Sequence, residues 1–392
     1  GGPHRHDPGN QCAEAMTTIS PTGIELFAGC GGLSTGFLDA GLNIAAGFEL
    51  DARAVDAYNY NHEYRGSKGF IADLNVASGA ELLSRAGLER VDFVVGGPPC
   101  QPFSIAGKRQ GKRDIRADLI GHFIRIVDEL KPSAFMLENV PNLAAISDGE
   151  FLNETKAELG ALGFSVDHRV ISAADFGVPQ NRKRLVILGV KGPQSVHFPL
   201  PTHGAAERPH ISASDAIDDL PDAGEFGEHG IYNHEPTAHS ADMVARLSTL
   251  APGKRERGSF HDRLHPERPS YTLRAGSGNF SPLRPVHYKH HRVITVRESA
   301  RLQGFSDDFR WPDRIPRLQQ YRQVGNAVPP PMARAFAECL ASQMGWPLDQ
   351  AAYAGNSSER EPANTLTDAQ RKALRISRMR GASLGKVALA LK

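Results

Sequence analysis

The chain has 392 residues, with 45 Lys and Arg against 44 Asp and Glu, a formal net charge of +1, and 40% hydrophobic residues. This ordinary globular composition excludes a wholly disordered chain, a low-complexity fibre and a globally basic nucleic-acid coat, though not local basic patches. No apolar run reaches the ~18 residues of a membrane span, and the length suits two domains.

Residues 1–20 read as a polar N-terminal tail. The first fifteen have no apolar core of a secretory signal and suit a tag, leader or misassigned upstream sequence ahead of Met16. From Gly23 short apolar runs alternate with helical stretches. Strands are expected at 23–27, 42–48, 70–71, 91–95, 134–137, 165–171 and 185–190, and helices at 33–40, 52–62 and 119–130. Such alternation predicts an α/β fold, a mostly parallel sheet with helices on both faces. After Val190 the pattern changes. Residues 191–270 are rich in Pro, Gly, His and acids and predict a smaller, loop-rich domain. Helical periodicity returns over 292–305 and 317–345, with a helix at 331–344 opened by proline, where a missing N–H costs nothing. The expected organisation is a tail at 1–20, a large domain at 21–192, a small one at 193–323, a helix at 324–345 completing the large domain, and a linker with two short helices at 346–392.

Four cysteines, Cys12, Cys30, Cys100 and Cys339, form no Cys-x-x-Cys pair, so neither a disulfide framework nor a structural zinc site is expected. A reducing, cytoplasmic setting follows as an expectation. His287, His290 and His291 lack the carboxylate or Cys spacing of a metal site, and no metal is expected there.

Four constellations carry chemistry. Phe27-Ala28-Gly29-Cys30-Gly31-Gly32 lies between a strand and a helix, where glycines let backbone approach a ligand and leave a helix N-terminus open. Its spacing is not Gly-x-Gly-x-x-Gly. Glu49 ends the next strand, placed to accept from a ribose, and Asp73 follows the third, placed for an adenine amino group. A nucleoside pocket and ordinary turn glycines with surface acids both satisfy this pattern. Gly97-Pro98-Pro99-Cys100-Gln101 follows a buried strand directly. A thiol held between prolines at a strand's carboxyl end is rigid and aimed at the crevice, as a nucleophile needs. Glu138-Asn139-Val140 ends the neighbouring run, so Glu138 suits an acid or hydrogen-bond partner as well as a solvated turn. In Gln180-Asn181-Arg182-Lys183-Arg184 the two arginines share one face of an extended chain. Beside Cys100 and Glu138 they make an anion or carbonyl site; alone they would be a solvated charge run.

Together, and with Arg301-Leu302-Gln303-Gly304-Phe305 and Gln323-Val324-Gly325-Asn326-Ala327-Val328, these motifs stand in the order of the DNA cytosine-5 methyltransferases, which the chain resembles over roughly residues 21–345. Glu25 departs from the family's usual Asp, keeping the carboxylate, and Ala327 stands where Ser is common. The resemblance implies a Rossmann-like methyltransferase fold with a target-recognition domain at 193–323, S-adenosylmethionine as methyl donor, and double-stranded DNA as partner of a monomer. It implies that Cys100 attacks C6 of a flipped cytosine, that Glu138 serves N3 and the 4-amino group, that Arg184 binds O2, and that Arg182 supports the flipped nucleotide. It assigns Phe27, Ala28, Gly29, Gly31, Gly32, Leu33, Glu49, Leu50, Asp73, Pro98, Leu119 and Asn326 to the cofactor. Because Asn326 lies so far along the chain, its helix must return to the first strand.

Residues 104–116 are basic and glycine-containing. Placed directly after the nucleophile, they suit a lid over DNA, with Gln101, Ser104, Lys108, Arg109 and Arg116 as candidate contacts. Lys254-Arg255-Glu256-Arg257 suits either nucleic acid or solvent. Two rival readings remain: a transfer-RNA methyltransferase of the same fold, whose Cys-Phe-Thr signature is absent here, and a DNA-binding regulator, prompted by residues 365–391. The modification enzyme of a restriction–modification system is the expected role.

Overall fold

The computed structural model describes residues 20–99, 115–224, 229–258, 260–276 and 285–355, the side chains of 115–118 excepted. Cys100, Gln101, Ser104, Lys108, Arg109 and the 365–391 helices therefore lie outside the described residues, and of Arg116 only the backbone is described.

Ten α-helices and eleven strands are described: β1 (Thr22–Leu26), α1 (Gly32–Ala40), β2 (Asn43–Glu49), α2 (Ala52–His62), β3 (Lys68–Ile71), α3 (Gly79–Ala86), β4 (Phe93–Gly96), α4 (Ile115–Leu130), β5 (Ala134–Asn139), α5 (Glu150–Ala161), β6 (Phe164–Ser172), β7 (Gln180–Asn181), β8 (Lys183–Lys191), α6 (Ala213–Ile217), α7 (Ala241–Ser248), β9 (Asp262–Arg263), β10 (Ser270–Tyr271), β11 (Pro285–Val286), α8 (Val296–Leu302), α9 (Arg317–Asn326) and α10 (Pro330–Met344). Seven strands form one sheet in the order β3-β2-β1-β4-β5-β8-β6. Pairing from β3 to β5 is parallel, whereas β8 runs antiparallel to both β5 and β6. The chain reverses its direction of sheet growth between β1 and β4. The crevice at their carboxyl ends is where open α/β sheets bind ligands.

Both faces are covered. Ile120, Phe123 and Val127 of α4 and Leu152 and Leu159 of α5 pack one face, with Leu82 of α3. Leu33 and Phe37 of α1 and Met332, Phe336 and Leu340 of α10 pack the other. α10 thus returns from the far end of the chain to lie against α1. The contact is close: a Cβ at Gly36 would come 2.5 Å from Ala333 Cβ and 2.5 Å from the Pro330 carbonyl. A third core gathers Leu264, Leu273, Leu302, Phe305, Phe309, Trp311 and Val324 onto Cys30 of the glycine loop and Ala57 of α2. Residue 324, the expected boundary, falls inside α9. Glu138 and Asn139 belong to β5 rather than to the turn after it, because antiparallel β8 pairs them with Val186 and Leu185.

Candidate active site

A cavity of about 480 Å³ opens at the crevice between β1 and β4. Four distant stretches line it: the glycine loop with Glu25, Glu49, Asp51 and Ala54; Gly97 to Pro99; Glu138 to Val140 with Arg182 and Arg184; and Gln319 to Val328.

One wall is built from β1 and β2. The chain leaves β1 with Phe27 at φ 56°, Gly29 at 55° and Gly31 at 91°. A left-handed path at three of five residues needs glycine at two of them and strains Phe27. Glu49 holds this loop open: its carboxylate accepts from Gly29 N–H at 2.9 Å, from Leu50 N–H at 2.8 Å and from Asp51 N–H at 2.9 Å. α1 begins with Gly31 as its N-cap and no side-chain cap, so the positive end of the helix faces the loop. Beneath it Glu25, only 2% exposed, accepts from Ser34 N–H at 3.0 Å and from the Ser34 hydroxyl. Burial pushes its carboxyl up to about 8. At neutral pH the protonated form therefore predominates, which spares the wall a buried negative charge.

The opposite wall comes from β5 and β8. Arg184 Nε meets Glu138 Oε1 at 2.7 Å, both side chains about nine-tenths buried. Burial lowers the Arg184 pKa and Glu138 opposes that shift. Asn139 donates to the Pro98 carbonyl at 3.1 Å and so fixes the backbone two residues before Cys100. Arg182 is 1% exposed and donates to the carbonyls of Leu273 (3.0 Å), Gly325 (2.8 Å) and Ala327 (3.2 Å). Burial drives its pKa well down. Nearby Gln180 donates to Leu302 O at 3.1 Å and Gln303 Oε1 at 2.6 Å, while Gln303 donates to Ala327 O at 2.5 Å. These buried bonds tie the late motifs to the sheet.

The cavity thus gathers Phe27, Ala28, Gly29, Gly32, Leu33, Glu49, Pro98, Glu138, Arg182, Arg184 and Asn326. Gly31, Leu50, Asp73 and Leu119 are not among its lining residues. Leu50 is 64% exposed, and Asp73 caps its own turn by accepting from Asn75 N–H at 3.0 Å. The basic cluster at 254–257 is partly spent on ion pairs: Arg255 meets Asp262 at 2.6 Å and Glu256 meets Arg246 at 3.9 Å. His287 accepts from Lys289 N–H, and its neighbour Glu298 belongs to an ion pair with Arg292. Two residues the motifs did not single out, Gln319 and Arg322, also reach the cavity: with Gln323 and Asn326 they take the 0, 3, 4, 7 spacing of one face of α9. That spacing was visible in sequence, but not which way it faced.

An open, mostly parallel sheet with a glycine loop at its switch point and a buried acid–guanidinium pair across the crevice has the architecture of a nucleoside-dependent transferase. The sequence model of the C-5 cytosine-specific DNA methylases matches residues 22–342, and the chain belongs to that family. By family it is a DNA cytosine-5 methyltransferase. It is 35% identical over 337 residues to the Type II methyltransferase M1.HphI of Haemophilus parahaemolyticus, covering 82% of this chain and 87% of that one. It is also 35% identical over 363 residues to the Type II methyltransferase M.XorII of Xanthomonas oryzae pv. oryzae, covering 80% and 83%. Among solved structures, a prophage-encoded protein of E. coli described as a DNA modification methyltransferase superposes with a TM-score of 0.69 at 28% identity, covering 83% of this chain and 100% of that one. The S. pombe Dnmt2 methyltransferase, at TM-score 0.61 and 15% identity, shares the fold. No helix among the described residues is long and apolar enough to cross a membrane.

Proposed function

We propose that the chain methylates C5 of a cytosine swung out of a specific double-stranded DNA sequence, through a covalent bond between Cys100 and C6, as the modification partner of a restriction endonuclease. The Type II names of its relatives support the biological setting. The observation that carries the chemistry is the Glu138–Arg184 pair, buried in the wall that Asn139 anchors to Pro98, two residues from Cys100.

The cavity fits S-adenosylmethionine. Its volume lies in the range of small-molecule sites, Glu49 sits at the end of β2 for ribose hydroxyls, and Phe27, the glycine loop and the first residues of α1 border it, with open space beside Gly29. Bound there, S-adenosylmethionine supplies an electrophilic methyl group on sulfur. A cytosine is accessible to such a site only when unstacked, at a cost of a few kcal/mol. Cys100 as thiolate adds to C6, and the electron pair displaced from the C5–C6 bond makes C5 nucleophilic. Negative charge develops toward N3 and O2. Glu138, parting from Arg184 and taking up a proton from solvent, donates it at N3 and accepts from the 4-amino group, the guanidinium moves on to O2, and N3 returns the proton to Glu138 when Cys100 leaves. After C5 is methylated, loss of its proton restores the double bond and expels Cys100 as thiolate. Arg182, spent on three backbone carbonyls, holds the late motifs in place.

Residues 21–192 with 324–345 carry this chemistry and residues 193–323 read the DNA sequence. The test is DNA containing 5-fluorocytosine. Fluorine cannot leave as a proton does, so wild-type protein is expected to become covalently trapped at Cys100, and Cys100→Ser to give neither trapping nor turnover, since an alkoxide forms far less readily than a thiolate. Trapping at another residue, or methylation by the Ser variant, overturns the mechanism.

A further inference from the structure

A second hollow, of about 450 Å³, lies in the loop-rich segment, and the reaction described above gives it no task. Among the described residues, Arg255, Arg263, Arg268, Arg274 and His265 line it against a single carboxylate, Asp262. Two of the four guanidinium groups are spent. Arg255 donates to both carboxylate oxygens of Asp262, at 2.6 and 3.0 Å. Arg263, only 3% exposed, donates to the carbonyls of Leu247, His287 and Tyr288 at 2.5, 3.0 and 3.1 Å. Arg268 and Arg274 are exposed, and neither meets a carboxylate among the described residues. The hollow therefore carries net positive charge and suits an anion.

Its place in the fold says which anion. β7 and β10 pair in parallel, with Asn181 opposite Tyr271. Asn181 lines the hollow, while the next residue, Arg182, lines the active cavity; consecutive Cα atoms are only about 3.8 Å apart. Past the end of β10 the Leu273 carbonyl receives Arg182 at 3.0 Å, and Arg274 follows. A Cβ on Gly325, in the cavity wall, would come 2.6 Å from the Arg274 carbonyl carbon and 2.5 Å from Ala275 N. Arg274 thus braces the cavity wall with its backbone and lines the neighbouring hollow. On the DNA reading above, which this inference rests on, a cytosine held in the cavity stays joined through its sugar to a phosphate on either side. The strand must carry that negative charge past this wall. We propose that the hollow seats the backbone phosphate next to the flipped cytosine, and that Arg274 supplies the positive charge. The contact positions the strand and carries no sequence information.

The test is titration of the full chain, over a series of salt concentrations, onto a duplex carrying the site found methylated in DNA from an expressing host. Arg274→Gln is expected to weaken binding by about tenfold and to lower the salt slope by about one. The methylated sequence and the S-adenosylmethionine affinity are expected to stay unchanged. Arg274→Lys keeps the charge and is expected to retain most of the affinity. A neutral methylphosphonate is then placed singly at each phosphate flanking the target cytosine. At one position it is expected to cost the wild type as much as Arg274→Gln does, and to cost that variant nothing further. Unchanged DNA affinity, a wild type indifferent to every methylphosphonate, or a further loss in the variant at each position overturns the proposal. So does a relaxed methylated sequence, which would make Arg274 a reader of bases. Wild type that binds no duplex overturns the DNA reading, and this proposal with it.

Discussion

Arg182 and Arg184 stand two residues apart in one basic string and do different work. Arg184 faces the Glu138 carboxylate in the cavity wall. Arg182 donates to backbone carbonyls 91, 143 and 145 residues away. The sequence marked both as one face of an extended chain, and both do line the cavity. Their division of labour was not legible, because the partners of Arg182 are backbone groups that only the folded chain brings near. The same holds for Gln180 with Gln303, 123 residues apart. Glu138 was legible as a candidate acid but not as half of a buried pair. Removing one charge from such a pair is costly when it strands the other, yet Gln in its place still offers Arg184 an oxygen. Glu138→Gln is therefore expected to fold and to bind S-adenosylmethionine as wild type does in calorimetry, while single-turnover methyl transfer falls by about 10²–10⁴-fold, the worth of a lost general acid. Unchanged chemistry would remove Glu138 from the reaction.

At the scale of elements, the strand–helix alternation up to Val190 located every strand of the main sheet, since its central strands are buried and read as continuous apolar runs, while the edge strands β3 and β6 are only partly buried. It could not show that β8 runs antiparallel to β5 and β6; a buried apolar run has no direction. Nor does periodicity say which helices touch. Gly36 in α1 looks like a liability, because glycine inside a helix costs up to about 1 kcal/mol relative to alanine. The structure explains it: a Cβ there would come within 2.7 Å of Arg334 N and 2.5 Å of Pro330 O, both backbone atoms of α10 that no rotamer change can move. Gly36→Ala is expected to lower stability by about 1–3 kcal/mol despite the better propensity. Urea midpoints would show it. Because α10 follows directly on Asn326 to Val328, the same variant is expected to weaken S-adenosylmethionine binding. A variant as stable as wild type would mean that α1 and α10 can part without cost.

At the scale of the whole molecule, one cavity draws its walls from stretches as far apart as Glu25 and Val328, and the third core joins residues of the loop-rich segment to Cys30 and Ala57. The loop-rich segment is thus anchored at its end by Leu273, Leu302 and Gln303, which receive or relay the bonds of Gln180 and Arg182. Among the described residues between His203 and Arg268, none lines the active cavity. That separation is what a division of labour needs: phosphate contacts orient DNA without reading it, so base identity must be read by other side chains. Exchanging the segment from about 203 to 268 for that of a relative with another target, with Leu273, Leu302 and Gln303 retained, is expected to move the methylated sequence to the relative's. Single alanine substitutions of polar residues there should each relax one base position by ~1–3 kcal/mol, with S-adenosylmethionine affinity unchanged. Sequencing of methylated sites in DNA from an expressing host reads the outcome directly. If the target sequence stays with the chain that supplies residues 100–116, the loop after the nucleophile does the reading, and the loop-rich segment serves only to hold DNA against it.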